Sequence, residues 1–515
     1  MDVLFINPGS NKKNYQDLSN KYSAIEPPTW LLLLAESCRS KNFKVGIIDA
    51  NAEHLSSSQV EEKIDNLKPR LICFVVYGQN VNAGTASMTG AIELSQYLKH
   101  KNNNYVVAFV GSHVQALPIE TLENEQSIDF VFTNEAVYAL HQVLSLKKFT
   151  CDQLKGVSGI AYREHDKIRF GFPGKIVPNE RMDIDLPGYA WDLLPFKEKP
   201  LDLYRSPMWH AEYVEENRSP YAAIQTSIGC QFSCGFCMIN LINKDDNEES
   251  SVAGNYSKMR FWSPDFIIKE FDKLIKMGVR TIKIVDEMFL LNPKYYIPLC
   301  KLLKERNSND ELKMWAYSRI DTVKRPEILK LVREAGIKWL CLGIESGDKK
   351  VRLEVAKGKF DDVDVRDVVK KIEAANIQVM GNYIFGLPGD NFETMKKTMD
   401  LSLELCTAGW NAYAAMALPG SLLYKEAKES GVSLPDTYDG FSFHSYNTLC
   451  LSTNELKSHE ILKFRDESFH NYHSNPLFLK KIKISFGEKA VKNIKEMLKI
   501  KLTRKIIEEQ KKNVN

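Results

Sequence analysis

The 515-residue chain lacks a strong net charge, since 69 Lys and Arg residues stand against 66 Asp and Glu residues. This balance gives no reason to expect nucleic acid or a membrane as a partner. A long hydrophobic run is missing too: Trp30 to Ala35, the most apolar stretch, falls far short of the about 20 residues that span a bilayer. No basic leader precedes the first apolar run, as a signal peptide would require. We therefore expect a cytoplasmic protein without a membrane span, whose ten cysteines are reduced.

Two groups of enzyme motifs are also missing. No Gly-x-Gly-x-x-Gly run marks a dinucleotide site. No Ser/His/Asp or Cys/His constellation for acyl chemistry can be identified. No internal repeat is found beyond an alternation of strand and helix patterns.

That alternation fills residues 1–150 and predicts an α/β chain that begins with a doubly wound parallel sheet. Amphipathic stretches such as Trp30 to Arg39 lie between five short apolar runs. The predicted strands are Val3 to Asn7, Val45 to Asp49, Leu71 to Tyr77, Tyr105 to Gly111 and Phe130 to Thr133. Such sheets bind ligands beyond the carboxyl ends of their strands, where this chain is polar or glycine-rich.

A second alternating series covers residues 221–425 and predicts six parallel βα units, a partial (β/α)6 barrel of the TIM type. Its predicted strands are Tyr221 to Ser227, Thr281 to Asp286, Lys313 to Tyr317, Trp339 to Ile344, Gln378 to Phe385 and Asn411 to Ala417. Residues 151–220 between the two series are interpreted as a hairpin and connector. Residues 426–515 are helical in pattern and rich in lysine, which is typical of a solvated helical domain.

Three cysteines follow the first predicted barrel strand within eight residues: Cys230, Cys234 and Cys237. A [4Fe-4S] cluster usually takes four thiolates, so three leave one iron open to a small molecule. A structural zinc site would need a fourth Cys or His nearby. Core thiols or an incomplete zinc knuckle are the alternatives.

The Cys-x3-Cys-x2-Cys spacing, with Phe236 before the last cysteine, resembles the signature of the radical SAM superfamily. The resemblance implies that the three thiolates hold a [4Fe-4S] cluster and that the open iron binds the amino and carboxylate groups of S-adenosyl-L-methionine (SAM). Cleavage of SAM then gives a 5'-deoxyadenosyl radical.

The ends of the later barrel strands resemble the SAM-binding segments of that family. Val285-Asp286-Glu287 stands where the family has a Gly-Gly-Glu-like edge, although both glycines are absent here. The segments Gly343 to Gly347 and Gly386 to Gly389 resemble the ribose and adenine segments. The residues that the resemblance assigns to SAM are Phe236, Asp286, Glu287, Ser318, Arg319, Glu345, Gly386 and Pro388.

A doubly wound domain before such a barrel resembles the cobalamin-binding radical SAM enzymes, and implies a cobalamin-binding Rossmann-like domain. The residues that this resemblance assigns to cobalamin are Asn7, Pro8, Asp49, Asn51, Gly78, Gln79, Gly111, Ser112, His113, Asn134 and Glu135. The Asp-x-His-x-x-Gly segment that supplies a lower cobalt ligand in methionine synthase-like domains is absent, and His113 is the nearest candidate for that role. A sheet that binds another nucleotide-like ligand, or none, is the alternative.

Together the resemblances imply a methyltransferase that moves a methyl group from SAM through methylcobalamin to an unactivated carbon of a small-molecule substrate. An electron donor such as flavodoxin or ferredoxin is implied as partner. Three alternatives remain: a cobalamin-dependent rearrangement or cyclisation, a methylthiotransferase, and a non-enzymatic cobalamin-binding regulator. The methylthiotransferase would need three more ligand cysteines, whereas Cys38 and Cys73 lie in apolar patterns typical of core residues.

Overall fold

A computed structural model describes residues 1–9, 11–78, 81–206, 220–323, 326–355 and 363–514. It contains a seven-stranded sheet, a six-stranded curled sheet and a helical C-terminal region. The predicted α/β architecture, a doubly wound sheet followed by a partial barrel, is confirmed.

The N-terminal sheet has the strand order β2-β1-β3-β4-β5-β6-β7. Its first five strands are parallel, and β6 and β7 add an antiparallel hairpin at one edge. The strands are β1 (Val3–Asn7), β2 (Val45–Asp49), β3 (Leu71–Val75), β4 (Val107–Val110), β5 (Phe130–Phe132), β6 (Ile160–Glu164) and β7 (Lys167–Phe170). The hairpin, which the sequence interpretation assigned to the connector, therefore extends this sheet.

Helices cover both faces of the sheet, which explains the continuous apolar strands. The residues of α2 from Leu31 to Leu34 are fully buried. The helices of this region are α1 (Asn11–Tyr15), α2 (Thr29–Arg39), α3 (Ser57–Leu67), α4 (Gly84–Lys101), α5 (Ser112–Ala116), α6 (Pro118–Asn124), α7 (Val137–Ser145), α8 (Cys151–Leu154) and α9 (Met182–Asp185). The chain order reverses between β1 and β3, and ligand crevices form at such switch points.

The curled sheet has six parallel strands in the order β15-β14-β13-β12-β11-β8, with β15 and β8 as its edges. The strands are β8 (Tyr221–Ile224), β11 (Thr281–Ile284), β12 (Lys313–Arg319), β13 (Ile337–Glu345), β14 (Gln378–Phe385) and β15 (Gly409–Ala414). Strands β9 (Ser227–Cys230) and β10 (Lys258–Phe261) form a separate antiparallel pair beside the barrel mouth.

Helices α10 to α16 follow the barrel strands. They are α10 (Pro264–Lys276), α11 (Pro293–Arg306), α12 (Pro326–Glu334), α13 (Lys349–Val355), α14 (Val365–Ala374), α15 (Phe392–Leu405) and α16 (Leu422–Glu429). Helix α10 begins as its sequence predicts: the Ser263 hydroxyl accepts a hydrogen bond from Phe266 N, and Pro264 occupies the first turn.

The C-terminal region is helical, as predicted: α17 (Ser458–His473), α18 (Pro476–Phe486), α19 (Glu488–Met497) and α20 (Lys505–Val514). Helix α17 packs on β15 at the open edge of the barrel. None of the helices in the described ranges is both long and apolar enough to cross a membrane.

Candidate functional site

A cavity of about 360 Å³ lies between the carboxyl edge of the N-terminal sheet and the barrel mouth. We call it the cofactor cavity. Of the residues predicted from the sequence, it is lined by Asn7, Pro8, Asn51, Gly78, Cys230, Cys234, Phe236, Cys237, Asp286, Glu287, Ser318, Arg319 and Glu345. The structure thus brings together members of both predicted groups, four from the sheet and the others from the barrel.

The strand pair β9–β10 presents the first of the three cysteines. Asn240 Oδ1 accepts a hydrogen bond from Cys230 N at 2.8 Å. Gly229 has φ +82°, and a Cβ there would lie 2.3 Å from Lys258 O, so the pair can approach only with glycine at this position. Cys230 is thereby held at a fixed place on the cavity wall.

The three cysteines fit a cluster with one open iron, because all are free thiols on one loop at the cavity. Burial raises the pKa of the Cys230 thiol to about 12 and that of Cys234 to about 11. Buried thiolates need a cation close by, and the irons of a cluster would supply it. No three His, Cys, Asp or Glu side chains in the described residues are drawn together as tightly as a single metal ion requires. A four-iron cluster binds each thiolate through a different iron.

Two carboxylates, Glu287 after β11 and Glu345 at the end of β13, face the same cavity. Burial raises the pKa of each to about 7. Neither carboxylate has a hydrogen bond or ion pair with another described residue, and both are only partly buried, so their oxygens are open to the cavity. Their position suits donors brought by a ligand, such as ammonium or hydroxyl groups.

Glu345 is held in a strained conformation. Its φ is +65°, and the register between β13 and β14 shifts between Gly343 and Glu345. A Cβ on Gly343 would lie 2.5 Å from the Glu345 Oε1 atom, so the carboxylate folds back over this glycine and a larger residue there would displace it. Non-glycine residues with positive φ are concentrated at functional sites.

Arg319 ends β12 and is almost completely buried. Its Nε donates to Asp321 Oδ1 at 2.6 Å, and its Nη2 donates to Asp321 Oδ2. Its guanidinium lies 3.6 Å from the centroid of the Phe232 ring, inside the cysteine loop. Arg319 therefore brings a positive charge to the cysteines, and this charge opposes the rise in the pKa of Cys234.

Other residues predicted for SAM are engaged in holding the chain together. Asp286 accepts hydrogen bonds from Thr226 N at 2.6 Å, Thr226 Oγ1 at 2.7 Å and Ser227 Oγ at 2.5 Å. The carboxylate thus ties the end of β11 to the start of β9. Ser318 Oγ lies 2.7 Å from Thr322 Oγ1.

Gly386 and Pro388 do not line the cofactor cavity. Gly386 N and Leu387 N donate to Asp390 Oδ2, each at 3.0 Å. Leu387 packs in an apolar cluster that also contacts Phe236. This loop therefore lies behind the cavity wall, in contact with lining residues such as Phe236 and Ile384.

Part of the set predicted for cobalamin lies away from the cavity. Asp49 is fully buried and accepts hydrogen bonds from Asn7 Nδ2 at 2.8 Å, Tyr204 Oη at 2.8 Å and Ala52 N at 3.0 Å. Gly111, Ser112, His113, Asn134 and Glu135 are not in the cavity lining. Gln79 lies outside the described residues.

His113 and Glu135 have partners of their own. The His113 Nδ1 atom lies 3.3 Å from Thr85 Oγ1, the His113 ring packs edge-on against Tyr438, and burial lowers its pKa to about 4. Glu135 forms a buried ion pair with Arg260 of β10 at 2.6 Å. Both side chains stabilise packing between parts of the chain.

One pair in the cavity wall was missed from the sequence. Lys283 of β11 and Glu26 form an ion pair at 2.9 Å, and both side chains are buried. Lys283 is the only charged residue of its four-residue strand. A charge in a buried strand was the available signal, because such charges are rarely buried without a partner.

Cys38 and Cys73, 1% and 0% exposed, belong to the hydrophobic core of the N-terminal region. This packing agrees with the interpretation that they are core residues.

Two known families match this chain, and their order along the chain is the order of the two sheets. Residues 15–144 match the B12 binding domain, and residues 224–402 match the radical SAM superfamily. An uncharacterized methyltransferase of Pyrococcus horikoshii is 25% identical over 88% of this chain and 89% of its own length. An anaerobic magnesium-protoporphyrin IX monomethyl ester cyclase of Rubrivivax gelatinosus is 24% identical over 93% of this chain and 78% of its own length.

Solved structures show the same fold. The radical SAM methyltransferase TsrM from Kitasatospora setae has a TM-score of 0.62 at 15% identity, covering 84% of this chain and 77% of its own. The cobalamin-dependent SAM radical enzyme OxsB has a TM-score of 0.63 at 15% identity, covering 97% and 75%. With its B12-binding sheet, its radical SAM barrel and the three cysteines between them, the chain belongs to the cobalamin-binding radical SAM enzymes.

Proposed function

We propose that the chain is a cobalamin-dependent radical SAM methyltransferase that methylates a carbon of a small molecule. The observation that carries the proposal is the single cavity lined both by the loop ends of the B12-binding sheet and by the three cysteines. A methyl group held at the sheet and a radical formed at the barrel mouth can reach one substrate only if both open into a shared space.

The roles of the residues follow from where they lie. Cys230, Cys234 and Cys237 are assigned to the cluster. Glu287 and Glu345 are assigned to the ammonium and ribose hydroxyls of SAM, because they are unpartnered acceptors in the cavity wall.

Arg319 supports the cysteine loop through Phe232 and Asp321. On the other wall, Asn7, Pro8, Asn51 and Gly78 are assigned to cobalamin, because they are the predicted residues of the sheet that reach the cavity.

When bound, the cluster with SAM supplies a 5'-deoxyadenosyl radical and cobalamin supplies the methyl group. The protein contributes placement and exclusion of water. Phe236 packs against the cluster of Val351, Ile384, Leu387 and Ala415, which gives the cavity an apolar wall beside the cysteines. An apolar wall protects a reactive radical from solvent.

The reaction also needs a one-electron donor, for which we propose a small protein such as flavodoxin or ferredoxin. A reducing cytoplasm suits the ten cysteines, all of which are free thiols.

A second candidate function is a cobalamin-dependent radical cyclisation. It is favoured by the cyclase of Rubrivivax gelatinosus, whose similarity spans 93% of this chain. The two functions share the cofactors and differ in the fate of the methyl group.

The cofactor assignment is tested with anaerobically reconstituted protein. Cys234→Ala should lose the electron paramagnetic resonance signal of the reduced cluster and the formation of 5'-deoxyadenosine from SAM. The control Cys151→Ala removes a half-buried thiol outside the cavity and should keep both. A Cys234→Ala variant that keeps cluster and cleavage contradicts the assignment.

Methyl transfer is tested with the products. S-adenosylhomocysteine formed together with 5'-deoxyadenosine, and a product heavier by one methyl group, supports the methyltransferase. Deoxyadenosine with a cyclised product and no S-adenosylhomocysteine supports the second candidate.

A further inference from the structure

The positive charge of the chain is concentrated in residues 476–515. This region contains twelve Lys and Arg residues and four Glu residues, which gives it a net charge of +8. Because the whole chain carries +3, the residues before position 476 have a net charge of −5. The even overall balance therefore hides a basic region that comprises helices α18, α19 and α20.

Most of these cations face solvent without a carboxylate partner. Four of the twelve form ion pairs with Asp or Glu side chains. The other eight are exposed and form no ion pair with another residue in the described ranges: Lys480, Lys489, Lys492, Lys495, Lys501, Lys505, Lys511 and Lys512. Charges that the protein leaves without a partner produce a positive potential, which attracts an anionic surface.

Helix α18 also presents apolar side chains to solvent. Leu477 and Ile484 are 66% and 76% exposed, and no other large hydrophobic side chain in the described residues is as exposed as either. The two residues are seven positions apart, so they lie on the same face of the helix, and the exposed Lys480 stands between them. This outward face is therefore apolar and basic together.

The opposite face of α18 fixes the orientation of the helix. Phe478 and Ile482 are buried, and they line a cavity of about 810 Å³ at the open edge of the barrel. The ring of Phe486 stacks on Trp339 of β13, with the ring centroids 5.5 Å apart. Because this face is packed against the protein, the apolar and basic face has to point outwards.

An anionic lipid bilayer matches both properties of the outward face. Lysine side chains reach the lipid phosphates, while aliphatic side chains enter the boundary between headgroups and acyl chains. A nucleic acid would use the lysines but would gain little from Leu477 and Ile484. A second copy of this chain would bring like charges together.

We propose that the outward face of α18, with Leu477, Lys480 and Ile484, is a docking surface for an anionic lipid bilayer. The positive potential of residues 476–515 draws the protein to the bilayer, and the two aliphatic side chains hold it there. The helix lies on the membrane and does not span it. No cofactor takes part, so the inference is independent of the proposed function.

Docking on this face is compatible with the cofactor cavity. Trp339, on which Phe486 stacks, lies near the start of β13, whereas Glu345 ends β13 and lines the cofactor cavity. The docking face therefore lies towards the end of the barrel that is away from the cysteines. A bilayer bound there would leave the barrel mouth uncovered.

Sedimentation with sucrose-loaded vesicles tests the proposal on the reconstituted holoprotein. Vesicles of equimolar phosphatidylglycerol and phosphatidylcholine should bind the protein at least about tenfold more tightly than vesicles of phosphatidylcholine alone. Rising salt should weaken this binding, because it screens exposed charges. Equal binding to the two kinds of vesicle, or binding to neither, overturns the proposal.

Two matched variants locate the binding face. Lys480→Gln/Ile484→Ser changes a lysine and an apolar residue four positions apart on α18, and should weaken binding to the anionic vesicles about tenfold. Phe392→Ser/Lys396→Gln makes the same kind of change on α15, where Phe392 is 52% exposed and the Lys396 side chain 69% exposed, and should leave binding unchanged. Equal losses in the two variants, or none in either, overturn the proposal.

A third variant, Leu477→Ser/Ile484→Ser, keeps every lysine and separates a bilayer from the other occupants. It should weaken binding to the anionic vesicles about tenfold, since it removes the apolar contribution. A single-stranded RNA that binds the wild type more tightly than the vesicles do, and binds this variant equally well, overturns the proposal. A wild-type dimer in sedimentation velocity without lipid that this variant abolishes also overturns it.

Discussion

Replacing Arg260 with methionine should destabilise the chain and also impair assembly of the cluster. The Arg260 guanidinium donates to Asn243 Oδ1 at 3.1 Å, Val177 O at 2.7 Å and Glu135 Oε2 at 2.6 Å. The Arg260 and Glu135 side chains are 3% and 0% exposed. Among the residues that the structure describes, methionine leaves the buried Glu135 carboxylate with the Val177 N–H as its one remaining donor. Breaking one partner of a buried pair costs about 3–5 kcal/mol.

Loss of Arg260 should also displace the cysteines. Arg260 lies in β10, opposite Ile228 of β9, and β9 ends at Cys230. We expect Arg260→Met to unfold at lower urea concentration and to hold less iron per chain after anaerobic reconstitution. The control is Arg366→Met, which breaks an ion pair with Glu404 whose side chains are 58% and 53% exposed. Exposed pairs contribute about 0–1 kcal/mol.

The double variant Glu135→Gln/Arg260→Met separates charge from packing. It removes the buried charge while the amide oxygen of the introduced glutamine can still accept from Val177 N, so it should recover about 2 kcal/mol relative to Arg260→Met. The reasoning is refuted if Arg260→Met unfolds at the same urea concentration as Arg366→Met. It is also refuted if the double variant is less stable than the single one.

Three further predictions concern other parts of the site. Asp286→Asn should lower the free energy of unfolding by about 1–3 kcal/mol and reduce iron per chain, because an amide cannot accept all three hydrogen bonds of the carboxylate. Urea unfolding measures the first effect and iron analysis the second. The pKa of His113 is lowered by burial from 6.5 to about 4, so its contribution to stability is present above pH 6.5 and is lost as the pH falls towards 4. Between pH 7 and 5 the wild type should therefore lose about 2 kcal/mol more than His113→Gln in urea unfolding, and equal losses would contradict this. Gly343→Ala should displace the Glu345 carboxylate and weaken SAM binding about tenfold in equilibrium dialysis, while Gly156→Ala, with no atom closer than 3.8 Å to the new Cβ, should not.

The regular elements could be predicted because buried parallel strands are visible as apolar runs. Strands β1, β2 and β14 have the predicted bounds. Strand β13 begins two residues before the predicted Trp339 and ends one residue after Ile344. The hairpin β6–β7 was located, but its pairing with β5 depends on contacts that no local pattern records.

Site residues were harder to predict, because a polar residue at a strand end can either bind a ligand or stabilise the fold through hydrogen bonds within the protein. Asp49 and Asp286 stand at such ends and are saturated by hydrogen bonds from the protein itself. Glu287 and Glu345 stand at similar places and have no hydrogen-bond partner among the described residues. The difference depends on neighbours distant in sequence, as with Lys283 and Glu26, which are 257 positions apart.

The open edge of the barrel between β15 and β8 has a consequence for how such enzymes diversify. The cysteine loop and the strand ends with Glu287 and Glu345 belong to the barrel, whereas a cavity of about 810 Å³ at the open edge is bounded by the segment 15–26 and the C-terminal helices. Exchange of these outer segments between relatives would alter the walls of that cavity and leave the barrel strands unchanged. Chimeric proteins joined after α16 would therefore exchange the C-terminal part of these walls and keep the barrel strands and the cysteine loop.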